Sequence, residues 1–259
     1  MNTVELLIIS MFFPLFPSSM VYTLIDRHLG NMWIRTGLMI VWPQAGVALV
    51  YSLRPEIPEW LTFWALGTSL LYAFRSLVLN EVGAWAAFVF VSLLSLGWLL
   101  PFEHMGAEQA HGVALISTFP LVMLNLLAVF MVNRFGSSYL GLVGGLVHRY
   151  PRLSTLLSVT VLAIIATPPF PLFFLLVGLL SQTTLGTALA MLGIWYLWGW
   201  AGVRFLQRLI LGPEGHALGT GLVGQADFPR AMTGVYLIMM AVLGVVGLMA
   251  ALQLTGGGV

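Results

Sequence analysis

Apolar residues run along this chain in blocks of about 20, a length that spans a hydrocarbon core of roughly 30 Å as a helix. Short polar stretches separate the blocks. A window of about 19 residues predicts eight spans, at 4–25, 32–53, 59–75, 82–101, 111–132, 152–180, 186–207 and 231–253. The sixth is too long for one straight helix and holds Pro168, Pro169 and Pro171 in "ATPPFPLFF". Proline removes a backbone donor and clashes with the preceding turn, costing roughly 3 kcal/mol or more inside a helix. Hydrocarbon offers no water to repair the loss. The segment therefore reads as two half-helices joined by a short irregular piece. A ninth span results if the halves cross separately, but each is short for that. The predicted fold class is an all-α integral membrane protein of about eight transmembrane helices, the sixth proline-broken.

The arginines test this topology independently. Arg27, Arg35, Arg75, Arg134, Arg149, Arg152, Arg204, Arg208 and Arg230 fall in or beside odd-numbered connections, and only Arg54 in an even one. The positive-inside rule then places the odd connections in the cytoplasm and both termini outside, in a bacterial-type inner membrane. The longest connections are 133–151 and 208–230, and none leaves room for a soluble catalytic domain. The stretch "TGGGV" reads as a flexible tail. At the other end, Glu5 stands where a signal peptide would be basic and no small-x-small cleavage site follows, so the first span reads as retained.

Composition sharpens the picture by exclusion. The 259 residues are 59% hydrophobic and 7% charged, against about 25% charged in soluble domains. Cysteine is absent, which excludes disulfides and thiolate metal sites. No basic cluster points to nucleic acid. All ten basic residues are arginine, so no lysine can titrate within the bilayer, and arginine stays charged.

Ionisable residues inside a membrane are the default pointers to function, and they are sparse. No charged residue or histidine lies between Leu153 and Val203 or between Gly112 and Asn133. Arg75 and Glu81 flank a short connection. The ordinary reading is an interfacial pair at a helical hairpin, and the sharper one is a pair lining a polar cavity. His111 opens the fifth span, and its ordinary reading is an interfacial histidine, the sharper one an ion-path group. Glu103, His104, Glu108 and His111 imitate metal-ligand spacing but read as a solvated outer loop, so no metal and no cofactor is expected. His148, Arg149 and Arg152 suit lipid headgroups or a partner. Asn125, mid-span, bonds a neighbouring helix or lines a residual water path. Trp195, Trp198 and Trp200 read as packing or interface anchors.

From about residue 60 onward, "NRFGSSYLGLVGGLVHRYPRLSTLLSVTVLAIIATPPFPLFFLLVGLL" resembles the antiporter-like subunits of respiratory complex I, Mrp antiporters and membrane hydrogenases. The resemblance rests on Gly144, Gly145, Leu146, Pro151, Pro168, Pro169 and Phe173. It continues through "LWGWAGVRFLQRLILGPEG" and a final apolar helix. It covers the last six of that family's fourteen spans, dividing the chain into two leading helices (1–56) and an antiporter-like C-terminal half (57–259).

Two departures bear on activity. The family's broken-helix lysine or glutamate corresponds to Leu176, and its glycine to Leu172. The histidine–lysine pair of the preceding span is missing from "LISTFPLVMLN". What the resemblance implies is a scaffold without its lysine relay. Free carbonyls around Thr167 to Phe170 remain available to water, a polar group or a partner subunit. The expected function is an accessory, non-pumping membrane subunit of a proton-coupled complex of the NADH-quinone oxidoreductase or antiporter type. Its partners would be the bilayer and other membrane subunits, among them a full-length antiporter-like or catalytic one. The alternative is a membrane component of a proton-coupled inorganic-carbon uptake complex.

Overall fold

The computed structural model describes residues 3–29, 31–55, 57–139, 145–210, 212 and 227–256. Gly144, most of the 208–230 connection and the end of the glycine tail lie outside the described residues. The described chain is helical, and its one strand-like contact is an isolated antiparallel bridge between Glu81 and Tyr139. The helices are α1 (Thr3–Phe12), α2 (Ser19–His28), α3 (Met32–Leu53), α4 (Glu59–Ser76) and α5 (Val82–Ser95). There follow α6 (Ala107–Phe135), α7 (Leu146–Arg149), α8 (Pro151–Ile164), α9 (Pro171–Gln182), α10 (Leu185–Ile210) and α11 (Arg230–Gly256).

Among the described residues, five stretches are long and apolar enough to cross a membrane: Met32–Leu53, Val82–Leu99, Ala107–Phe135, Leu185–Ile210 and Arg230–Met249. The sixth sequence block is broken as expected, into α8 and α9 around 165–170. The first block differs from expectation. It is two ten-residue helices, α1 and α2, and not one span over 4–25. Pro14 and Pro17 lie in the linker, a run of turn residues interrupted at Leu15. The apolar run hid this break because proline adds little to a hydropathy average.

Packing follows from helices that are apolar on nearly every side. α3 lies along α6, α4 along α5 and α10, and α11 along α9 and α8. Two buried clusters result. A small one joins Leu6, Ile9 and Phe13 of the first break to Val47, Trp98 and Phe102. The large one runs through α3, α5, α6, α8 and α10. Within it, Ser69 and Ser92 each donate to the other's carbonyl at 2.8 Å, and the Trp198 indole donates to Ser92 Oγ at 3.0 Å. Such bonds tie helices where apolar side chains alone give little preference over lipid.

Both breaks free carbonyls that must find donors within the protein. Around the first, side chains supply them, one from the linker itself and the rest from other helices and the turn after α5. Ser18 Oγ bonds the carbonyls of Ser10 and Leu15, and Trp42 that of Met11. Trp98 donates to Phe13 at 2.8 Å, Ser95 to Pro14 at 2.7 Å and Trp64 to Phe16 at 2.6 Å. The Phe16 amide donates to Thr68 Oγ1 at 3.0 Å.

The second break is closed mainly by its own backbone and by close packing. Ala166 takes the left-handed conformation (φ 55), and its amide bonds Ala163 O while both the amide and hydroxyl of Thr167 reach Leu162 O. Trp195 donates to Ile165 O at 3.0 Å. Gly247 of α11 lies against the break so tightly that a Cβ there would sit 2.2 Å from Pro169 O.

Candidate functional site

The densest group of buried polar chemistry lies where α2 turns into α3. Asn31 caps α3 by accepting the Trp33 amide at 2.9 Å. This sets the helix start so that Arg35 falls in the first turn, opposite Asp26 in the last turn of α2. Arg35 Nε donates to Asp26 Oδ1 at 2.8 Å and Nη2 to Oδ2 at 2.5 Å, a bidentate pair. Asp26 is 5% exposed. The pair is not explained by helix stability. A carboxylate near a helix C-terminus and a cation near an N-terminus both oppose the macrodipole. Their mutual bond offsets that cost and the loss of hydration.

Two further groups face the pair. Tyr22, one turn back on α2, is fully buried between Trp42 and Phe90, and its hydroxyl has no hydrogen-bond partner among the described residues. The Glu81 carboxylate acts on Arg35 at longer range. A Cβ at Gly83 would lie 3.6 Å from Arg35 Nη2 and 3.7 Å from Glu81 Oε1, so both groups border the gap that this glycine leaves. Beside Arg35, Thr36 Oγ1 accepts from Asn125 Nδ2 at 2.7 Å, and Asn125 Oδ1 has no partner among the described residues.

The residues singled out from sequence are placed as follows. Glu81 is exposed and occupies the N-cap position of α5 without a side-chain capping bond, and Arg75 is exposed; no ion pair joins them among the described residues. Asn125 is fully buried and bonded to α3. The His111 ring lies 2.6 Å from Gln44 Oε1, which ties α6 to α3 at the far end of the bundle. Thr167 is partly exposed and Pro168 and Pro169 are exposed, so this break faces outward from the bundle. Leu176 points inward, 3% exposed, beside a void of about 40 Å³ lined by Phe13, Leu93, Leu172 and Leu179. Among the described residues no group of three or more His, Asp or Glu is placed to hold a metal.

Sequence reading missed Asp26 and Arg35. Both sit at the ends of apolar runs, where hydropathy assigns them to a connection. Their one available signal was opposite charges nine residues apart across a short turn.

The geometry defines an all-helical membrane bundle with two proline-broken helices and a buried ion pair. No family model matches the chain. An uncharacterized protein of Aquifex aeolicus (strain VF5) is 22% identical over 157 residues, which cover 61% of this chain and 65% of that protein. Among solved structures, a chain of respiratory complex I from Thermus thermophilus with bound NADH superposes at TM-score 0.75 and 22% identity. The match takes in 92% of this chain and 52% of that one, so this chain spans about half the length of its structural neighbour. The fold of this chain is similar to that of this complex I chain.

Proposed function

We propose that this chain is an accessory membrane subunit of a multi-subunit complex of the NADH-quinone oxidoreductase type, related to the C-terminal half of an antiporter-like subunit. The observation that carries this reading is the superposition on a complex I membrane chain at TM-score 0.75 over 92% of the chain. That coverage is longer than residues 57–259, so it takes in part of the leading helices as well. A non-pumping role is supported by Leu176, which stands where the resemblance implies a lysine and is packed among leucines. A partner subunit is supported by the outward-facing break at Pro168 and Pro169. Irregular backbone in hydrocarbon is tolerated only where protein or a water-filled cavity covers it.

The test is purification of the tagged chain from its native membrane in mild detergent. Co-migration with other membrane subunits and with NADH-quinone oxidoreductase activity is expected. Migration as a partner-free monomer overturns the reading, and co-purification with a large soluble zinc protein favours inorganic-carbon uptake. Both termini are proposed to lie outside the cytoplasm. The chain has no cysteine, so single cysteines placed at Asn2 and Arg75 should label from opposite sides of the membrane.

A further inference from the structure

We propose that the outward face of α10 seats one anionic phospholipid, with its phosphate on Arg204 and an acyl chain in the groove beside Gly199. The inference stands on this face alone and holds whatever complex the chain joins.

The two sides of α10 differ. Met191, Ile194, Trp198, Ala201 and Phe205 are buried in the bundle. The opposite side carries an open groove of about 810 Å³. Its shape follows from the stretch "YLWGWAGVR", Tyr196 to Arg204. Tyr196 and Trp200, one turn apart, are exposed and stand edge to face with ring centroids 5.8 Å apart. Gly199 lies next to them in the groove, and a Cβ there would meet nothing within 4 Å. Two rigid aromatic side chains thus border a notch that any larger residue at 199 would fill.

Polarity is graded along the groove. Leu192 lines one end, and Arg204 and Gln207 line the other. Arg204 is half-buried and makes no hydrogen bond or ion pair among the described residues. The neighbouring arginine differs: Arg208, one turn further on, donates to Asn80 Oδ1 at 2.5 Å. α10 itself has no acidic residue to offer. The Arg204 guanidinium therefore presents a planar fork of donors, the geometry that fits a phosphate. Left half-buried without a counter-charge, it would carry a desolvation cost that an anion removes.

Position along the helix identifies the anion. Arg204 lies nineteen residues from the exposed Leu185 at the start of α10. That is roughly 28 Å of helix, close to the roughly 30 Å of a hydrocarbon core, so the guanidinium stands at headgroup level. From Arg204 back to Leu192 the groove covers twelve residues, or roughly 18 Å, about the depth of one leaflet. A phosphate-binding mouth above an apolar notch one leaflet deep matches an anionic lipid in both charge and length. A partner helix would need a seam along the whole span. The groove instead ends at Leu192, with exposed Leu189 and Leu185 beyond it.

Trp200 supplies the reporter. The full chain in phosphatidylcholine bilayers is titrated with dibrominated phosphatidylglycerol or, separately, dibrominated phosphatidylcholine, whose bromines quench nearby tryptophan. One basic residue contributes about 1 kcal/mol toward an anionic lipid, so the first lipid should bind about fivefold better. The extra quenching should vanish in Trp200→Phe, which removes the reporter. Arg204→Gln should bring the two lipids level. Gly199→Leu, which fills the notch and leaves every charge in place, should do the same. Inorganic phosphate in the buffer should leave the quenching unchanged. Equal quenching by the two lipids in the wild type, a comparison that needs no variant to fold, overturns the proposal and leaves this face to a partner subunit. So does extra quenching that survives Trp200→Phe, Arg204→Gln or Gly199→Leu. Displacement by inorganic phosphate also overturns it, because the site would then hold an anion with no seat for a tail.

Discussion

The two proline-broken helices solve one problem by different means. The first break is held by donors: Trp42, Trp64, Trp98 and Ser95, from three other helices and the turn after α5, each bond a freed carbonyl. The second is held by shape. Its backbone satisfies itself around Ala166, Trp195 adds one bond, and Gly202 and Gly247 let α10 and α11 approach Ile165 and Pro169 within contact distance. The lesson is that a break in a bilayer helix does not by itself mark an ion site. A break met by indoles, or one whose backbone turns back on itself beside a close-packed glycine, has a structural explanation of its own.

The sharpest way to break this comparison is Trp98→Ala. It removes both a fully packed indole and the Phe13 donor, and should cost about 3–5 kcal/mol, read as thermal unfolding in micelles. An equal loss from Trp195→Ala would show that both breaks depend on donors. Next, Leu176→Lys places an unpaired ammonium among leucines and should cost roughly 2.5–3.5 kcal/mol on insertion scales. Normal assembly and activity of that variant would show that the site is wet and revive a proton path through it. Gly247→Ala drives a Cβ into the Pro169 carbonyl and should cost about 1–3 kcal/mol. Crosslinking between α9 and α11 should report the loss, and unchanged crosslinking would refute sealing by shape. The smallest effect is expected from Trp195→Phe, which keeps the ring, removes one hydrogen bond and should cost about 1 kcal/mol in the same unfolding assay.

Much of the fold was legible because membrane thickness dictates run length. The break at Pro168 was legible because three prolines fell inside a run already too long for one helix. Pro14 and Pro17 stood in a run of ordinary span length, so nothing in its hydropathy demanded a break. The donors that make the first break stable, such as Trp98, lie more than eighty positions away in sequence. Their role depends on which helices become neighbours, which no local pattern records. The candidate site was hidden for a related reason. Glu81 drew notice beside Arg75, its neighbour in sequence, whereas the guanidinium near it is that of Arg35, brought there by the packing of α2 against α5 and of α3 against α6.

The glycine at 247 has a consequence for the order in which this protein is made. α8 and α9 enter the membrane well before α11 is synthesised, so the carbonyl of Pro169 is without its cover for the whole of that interval. The first break waits less long, for Trp64 and then Trp98. Assembly thus closes the two breaks in chain order, and a ribosome stalled after α10 would present a bundle with its first seam finished and its second still open.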